Sequence, residues 1–125
     1  MRILVVDDER ECAVLLSRLL VKLGHDPLVA VDAVEALELF GDDVSAVITD
    51  IDMPGMSGVE LAREIRARRQ STPIAFCTGS ALDGEVASDA SRLGTVWPKA
   101  RSLDHVREVV GQFVGPFCGR TVSSK

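Results

Sequence analysis

The stretch "VITDIDMPGMSG", residues 47–58, decides the fold of this chain. It opens with apolar and β-branched residues, stops abruptly at Asp50, and continues through a second acid, Asp52, into a Pro-Gly turn. A short continuous apolar run is typical of a β-strand covered on both faces. A buried strand that carries two carboxylates at its end needs a chemical explanation.

Length and composition predict one globular domain. The chain has 125 residues, 46% of them hydrophobic and 26% charged, with a formal net charge of −5. The densest basic run, "RARR" at residues 66–69, is interpreted as the solvated end of a helix. A direct nucleic-acid surface is therefore not expected.

Several absences in the sequence favour a cytoplasmic protein without a membrane segment. The first apolar run begins at Ile3 without a charged leader or a small-residue cleavage site. Apolar stretches fall short of the roughly 18–20 residues that span a bilayer. The three cysteines, Cys12, Cys77 and Cys118, show no CxxC spacing, which favours reduced, space-filling thiols over a disulfide or zinc set.

Strand-like and helix-like segments alternate five times along the chain. Apolar runs predict strands at residues 2–6, 27–31, 45–49, 72–78 and 95–97. Helical periodicity follows each run, with Gly24 as the stop of the first helix and Ser102 as the cap of the last. This alternation predicts a doubly wound α/β fold, with a mostly parallel sheet and helices on both faces.

Two capping boxes mark helix starts, and one helical segment is weak. Asp32 with Glu35, and Ser57 with Glu60, have the spacing of a cap and its reciprocal acid. Residues 83–93 include Gly84 and have a thin apolar stripe. We expect this fourth helix to open locally more readily than the rest of the domain.

Polar residues follow the strands on the side where ligands bind in such sheets. They are three acids, one hydroxyl and one ammonium: Asp7, Asp8, Asp50, Thr78 and Lys99. Each alone has a structural explanation, since Asp7-Asp8 could cap a helix, Asp50 could belong to a turn and Thr78 could begin a plain loop. Their joint occurrence at strand ends favours a site.

Converging carboxylates repel one another, and a hard divalent cation such as Mg²⁺ removes the conflict. Lys99 offers a compact positive charge for an anion, and Thr78 offers a hydroxyl donor. The set is suited to hold a phosphoryl group beside a metal, with a carboxylate as the nucleophile.

The motifs "ILVVDDE", "VITDIDMPGMSGVEL", "PIAFCTG" and "WPK" resemble, in order and spacing, the receiver domain of bacterial two-component response regulators. The resemblance covers residues 1–114 and implies a flavodoxin-like (βα)5 fold, similar to chemotaxis regulators, with strand order 2-1-3-4-5. Residues 115–125 are expected to form a C-terminal tail, with no output domain in the chain.

The resemblance implies a phosphorylation site with a bound metal. Asp50 matches the phosphoacceptor. Asp7 and Asp8 match the acids that hold Mg²⁺ (or Mn²⁺) together with Asp50, and Asp8 is the expected direct ligand. Asp52 matches the position that gives the metal a backbone carbonyl.

The resemblance also assigns the remaining site residues and the partners. Thr78 matches the switch hydroxyl, and Lys99 matches the lysine that pairs with the phosphoryl group. The implied phosphoryl donor is a sensor histidine kinase or a histidine phosphotransfer protein. An unknown downstream protein is implied to bind according to the phosphorylation state. The chain is expected to be a monomer or weak dimer that catalyses only its own phosphorylation and dephosphorylation.

Three features depart from the family pattern. Val96 stands where receivers usually carry Tyr or Phe, and the neighbouring Trp97 should face the opposite side of the strand. Pro98 precedes Lys99, whereas the family's proline follows the lysine, where this chain has Ala100. The segment before Lys99 is also short. The motif "FCTGSA" resembles the FATGUY subgroup of stand-alone receivers, which also lacks the aromatic.

Two alternatives remain at this point. An apolar strand followed by Asp-x-Asp also opens haloacid-dehalogenase-type phosphatases, in which Asp52 would be a general acid. That motif normally sits on the first strand, whereas here it follows the third. The other alternative is a degenerate receiver that acts only as a docking module.

Overall fold

The computed structural model describes residues 1–79, 84–98 and 103–118. Five strands form one parallel sheet in the order β2-β1-β3-β4-β5. The strands are β1 Arg2–Val6, β2 Asp26–Ala30, β3 Ala46–Thr49, β4 Ile74–Thr78 and β5 Thr95–Pro98. The helices are α1 Arg10–Lys22, α2 Ala33–Leu39, α3 Gly58–Arg68, α4 Gly84–Leu93 and α5 Leu103–Cys118.

The predicted flavodoxin-like (βα)5 fold and its strand order are confirmed. Helix α5 runs to Cys118, four residues beyond the predicted end of the receiver domain at residue 114, and the predicted division into domain and tail stays a prediction. Ser102, the predicted cap of α5, lies outside the described residues, as do Asp83 and residues 119–125.

The sheet is buried on both faces, which explains the continuous apolar runs. On one face, α2, α3 and α4 cover a cluster that includes Leu4, Val47 and Phe76. On the other face, α1 and α5 cover Ile48 and Ala75, among others. Alternate residues of each strand therefore enter opposite cores, as the two-residue repeat of a strand requires.

One predicted capping box is complete and the other is not. Ser57 and Glu60 bond each other's backbone N–H reciprocally at the start of α3. Asp32 accepts from the Glu35 N–H at 2.8 Å, but the Glu35 carboxylate accepts from Val31, one residue before the cap. Both helices still begin where the sequence predicts, because the cap side chain itself is in place.

The basic run at residues 66–69 makes contacts within the fold. Arg66 donates to the carbonyl of Leu93, the last residue of α4, and burial lowers the pKa of its guanidinium. Arg69 donates to the carbonyl of Val44, and its guanidinium lies 4.9 Å from the ring centroid of Phe40. The interpretation of this run as merely solvated is therefore wrong for Arg66 and Arg69.

Within the described part of the chain, no helix has both the length and the apolar character needed to cross a membrane.

Candidate functional site

Three acids converge at the carboxyl end of the sheet. Asp7 and Asp8 follow β1, and Asp50 follows β3, which pairs with β1. Carboxylate oxygens of the three residues all lie within 4.8 Å of one another. Asp50 is only 6% exposed and Asp7 is similarly buried, whereas Asp8 is exposed. Parallel β1 and β3 thus deliver the three acids to one point, as predicted.

The backbone around Asp50 is tightly held. Its N–H donates to the Val6 carbonyl at 2.9 Å, which continues the β1–β3 ladder by one residue. Its carboxylate oxygen Oδ1 accepts a hydrogen bond of 2.8 Å from the Ile51 N–H. The Ile51 carbonyl in turn accepts from Gly58 at the start of α3. The carboxylate therefore stands on a backbone anchored to both a strand and a helix.

The Asp7-Asp8 pair does not cap α1. The N-cap position is Glu9, and it makes no side-chain capping bond. Asp7 instead accepts from the Glu9 N–H at 2.9 Å, a local bond that turns the chain from β1 towards α1. The capping explanation fails for Asp8, so its exposed carboxylate is available to the acidic cluster.

The structure describes two of the other predicted site residues, Thr78 and Asp52, but not Lys99. Thr78 is buried at the end of β4, two residues beyond Phe76, which pairs with Thr49 in the register of the sheet. Asp52 is exposed in the β3–α3 connection and lines a cleft of about 210 Å³ between that connection, α3 and α4. Lys99 and Ala100 lie outside the described residues, so their predicted roles stay predictions.

The acids present fit a magnesium ion. Mg²⁺ binds oxygen ligands at about 2.0–2.1 Å, so two of its ligands stand at most roughly 4.2 Å apart. The 4.8 Å span of the Asp7, Asp8 and Asp50 oxygens is close to that limit. These three residues would hold the metal, with the Asp52 carbonyl as a further predicted ligand.

Val96 and Trp97 lie on opposite sides of the fifth strand, as predicted. Val96 is 37% exposed, and Trp97 packs towards the α1–α5 core, on the opposite side of the strand. The Trp97 ring lies 6.3 Å from that of His105 on α5, centroid to centroid. At position 96 no ring is therefore available to swing between exposed and buried orientations.

Two residues of the site had no predicted role. Thr49 was assigned only as the end of a strand, yet its buried hydroxyl bonds the Asp50 carbonyl. Gly58 was noted only as part of a motif, yet its backbone packs directly against Asp50. A glycine just after a helix cap is a signal of close backbone approach. A threonine in a strand carries no comparable signal.

Fold and site together define a doubly wound α/β protein with a buried aspartate beside two further acids at the carboxyl end of its sheet. The family model described as "Response regulator receiver domain" matches residues 3–96. This chain belongs to that family.

Relatives with curated names are regulators considerably longer than this chain. An uncharacterized transcriptional regulatory protein of Bacillus subtilis (strain 168), YrkP, is 43% identical over 84 residues, which is 66% of this chain and 36% of that protein. The Regulator of RpoS of Escherichia coli (strain K12) is 34% identical over 113 residues, 87% of this chain and 33% of that protein. The chain thus spans about a third of the length of these relatives.

Solved structures include a response regulator protein that aligns with this chain over most of both lengths. The response regulator protein TrrA of Thermotoga maritima superposes with a TM-score of 0.78 at 35% identity, covering 90% of this chain and 97% of that one. That protein was crystallised in complex with Mg²⁺ and BeF.

Proposed function

We propose that this receiver domain accepts a phosphoryl group on Asp50 with the help of Mg²⁺ (or Mn²⁺). The observation that carries the proposal is the convergence of Asp7, Asp8 and Asp50 oxygens within 4.8 Å around a buried, backbone-anchored carboxylate. A lone surface acid would lack the metal and the fixed orientation that in-line phosphoryl transfer needs.

In the proposed reaction the Asp50 carboxylate attacks the phosphorus of a donor phosphoramidate or acyl phosphate. An oxygen–phosphorus bond forms on Asp50 while the donor's nitrogen–phosphorus or oxygen–phosphorus bond breaks, and the leaving group takes that electron pair. The metal would neutralise charge on the transferring group. Asp7 and Asp8 would hold it, and Thr78 and Lys99 would pair with the phosphoryl oxygens. Hydrolysis of the acyl phosphate returns the free carboxylate.

The proposed donor is a sensor histidine kinase or a histidine phosphotransfer protein, and the proposed output is a change in binding to a downstream protein. The location proposed for this exchange is the cytoplasm. Support comes from membership in the receiver family and from the named regulators that share it. We propose no direct contact with nucleic acid, because the three arginines of the basic run hydrogen-bond to backbone carbonyls.

We propose that the chain catalyses only its own phosphorylation and dephosphorylation. The haloacid-dehalogenase alternative required a general acid at Asp52, and the family match favours a receiver instead. The degenerate docking module is disfavoured by the intact cluster of Asp7, Asp8 and Asp50. Turnover of an external phosphate ester, such as p-nitrophenyl phosphate, would contradict this part of the proposal.

Binding of a phosphoryl mimic tests the proposed site. Beryllofluoride should bind the wild-type protein only when Mg²⁺ is present, as measured by calorimetry. Asp50→Asn should abolish that binding. Asp42→Asn is a matched control, since Asp42 is an exposed acid before β3, at the opposite end of the sheet. Equal binding by wild type and Asp50→Asn would refute the proposal.

The output is proposed to run through α4. Only Ala90 of this helix is fully buried, while Val86 and Leu93 are partly buried against the core. Thr78 lies shortly before α4, so movement of Thr78 towards Asp50 would pull on the start of that helix. Hydrogen exchange with and without beryllofluoride should therefore change in residues 84–93. Changes confined to another face would contradict this route.

A further inference from the structure

Thr49, the last residue of β3, carries a hydroxyl with a specific partner inside the fold. The side chain is 1% exposed, and its Oγ1–H donates a 2.9 Å hydrogen bond to the backbone carbonyl of Asp50. A buried hydroxyl needs such a partner, but many acceptors would satisfy it. The acceptor here belongs to the residue that the proposed reaction modifies.

The same peptide unit holds the Asp50 carboxylate at its other end. The carbonyl of this peptide belongs to Asp50 and accepts the hydrogen bond from Thr49. The N–H of the same peptide belongs to Ile51 and donates a hydrogen bond of 2.8 Å to Asp50 Oδ1. Because a peptide unit is planar, the direction of its carbonyl fixes the direction of its N–H. A bond that orients the carbonyl therefore also orients the donor that holds the carboxylate.

The backbone on both sides of the Asp50–Ile51 peptide is held by hydrogen bonds, to Val6 and to Gly58, and Thr49 bonds the peptide itself. The Asp50 N–H is fixed by the Val6 carbonyl at 2.9 Å, so the strand side of the residue is anchored. The peptide between Asp50 and Ile51 could then turn only by rotation about φ and ψ of Asp50. The Thr49 hydroxyl bonds that peptide directly and opposes the turn.

We propose that Thr49 is a positioning residue for phosphoryl transfer to Asp50. It acts through the Asp50–Ile51 peptide, which keeps the Asp50 carboxylate in a single orientation before the phosphorus arrives. This inference rests on the proposed function of Asp50 and adds a residue to it. Preorganisation of this kind raises the rate because less reorientation remains for the reaction itself.

Thr49→Val and Thr49→Ser separate the hydroxyl from the shape of the side chain. Thr49→Val should slow Mg²⁺-dependent labelling by acetyl phosphate roughly two- to ten-fold, the loss of one hydrogen bond's contribution. Thr49→Ser keeps the donor and should restore most of the rate. In ¹⁵N spectra, the Ile51 amide should exchange with solvent faster in Thr49→Val than in wild type.

Thr72→Val is the matched control. Thr72 is also 1% exposed, and its hydroxyl donates a hydrogen bond of 2.9 Å to the Arg69 carbonyl. It precedes β4, at the end of the sheet away from Asp50. Thr72→Val should lower the melting temperature and leave the labelling rate unchanged. Equal slowing in Thr72→Val and Thr49→Val would mean that only global stability matters, and would overturn the proposal.

Failure of the positioning role can be told apart from failure of the phosphorylation site. If wild type is not labelled at all, the proposed function fails. The Ile51 amide needs no phosphodonor, so its exchange still decides whether Thr49 orients this peptide. Wild-type exchange at Ile51 in Thr49→Val, or labelling at the wild-type rate, would overturn the positioning role.

Discussion

A β-carbon added to Gly58 would lie 2.0 Å from the backbone carbonyl oxygen of Asp50. The first residue of α3 is thus packed against the candidate phosphoacceptor more closely than any other amino acid allows. The Gly58 N–H also donates to the Ile51 carbonyl at 2.8 Å, so the approach is held by a hydrogen bond. The start of helix α3 and the Asp50 backbone are therefore packed together as one rigid unit.

Gly58→Ala should destabilise the domain by about 1–3 kcal/mol, because the clashing atoms are backbone and cannot rotate away. Urea unfolding measures this change. The matched control is Gly84→Ala, where an added β-carbon meets no atom within 4 Å, and which should be neutral or stabilising. Equal stability of Gly58→Ala and wild type would show that the contact between Gly58 and the Asp50 backbone is not rigid.

Arg63 of α3 pairs with Asp89 of α4 at 3.4 Å. The two side chains are 56% and 32% exposed, so the pair contributes only about 0.2–1 kcal/mol. Arg63→Gln should accelerate local hydrogen exchange in residues 84–93 roughly two- to five-fold. Arg92→Gln removes a nearby charge within α4 itself and should have less effect. Similar exchange in both variants would contradict this expectation for Arg63.

Asp8→Ala should lose most of the affinity for Mg²⁺ and should stabilise the metal-free fold. The reason is that one member of a like-charged cluster is removed, and Asp8 makes no cap that would be lost. Calorimetry and thermal melts without metal check both effects. Glu11→Ala removes an acid within the first turn of α1 and should leave the Mg²⁺ affinity unchanged. A clearly less stable Asp8→Ala would instead indicate a helix cap worth roughly 1 kcal/mol.

The stability should also depend on the protonation of His25. Burial, followed by the positive N-terminal ammonium, lowers the pKa of this imidazole from 6.5, and its Nδ1 lies 3.1 Å from the Met1 nitrogen. The unfolded chain therefore binds a proton more readily than the folded one. His25 contributes its full stability above about pH 6.5 and loses it as the pH falls through the lowered pKa.

His25→Gln should accordingly lose less stability than wild type between about pH 7 and pH 5. Urea unfolding of both proteins at the two pH values measures how much unfolding free energy each one loses. The acids are the same in both proteins, so their titration cancels in the comparison. Parallel pH profiles for the two proteins would contradict the assignment.

Much of this architecture could be predicted because the apolar runs end where the strands end. Asp50 closes one such run and Asp7 another, so a parallel sheet had to bring the two acids together. The extension of α5 to Cys118 was missed, since Gly115 and Pro116 break the sequence pattern of a helix.

Side-chain hydrogen bonds to backbone carbonyls could not be predicted from the sequence. The bonds from Thr49 to the Asp50 carbonyl and from Arg66 to the Leu93 carbonyl depend on where the folded chain places those carbonyls. A carbonyl is present at every residue, so no residue type marks the acceptor. The hydrogen bonds of Thr49 and Arg66 to these carbonyls can therefore be seen only in the folded chain.

We propose above all that Asp50 is the residue that receives the phosphoryl group. The most direct test of this proposal is peptide mapping by mass spectrometry after wild-type protein is incubated with acetyl phosphate and Mg²⁺. We expect one phosphoryl group per chain, located on Asp50, and none in Asp50→Asn. A phosphoryl group on any other residue, or undiminished labelling of Asp50→Asn, would contradict it.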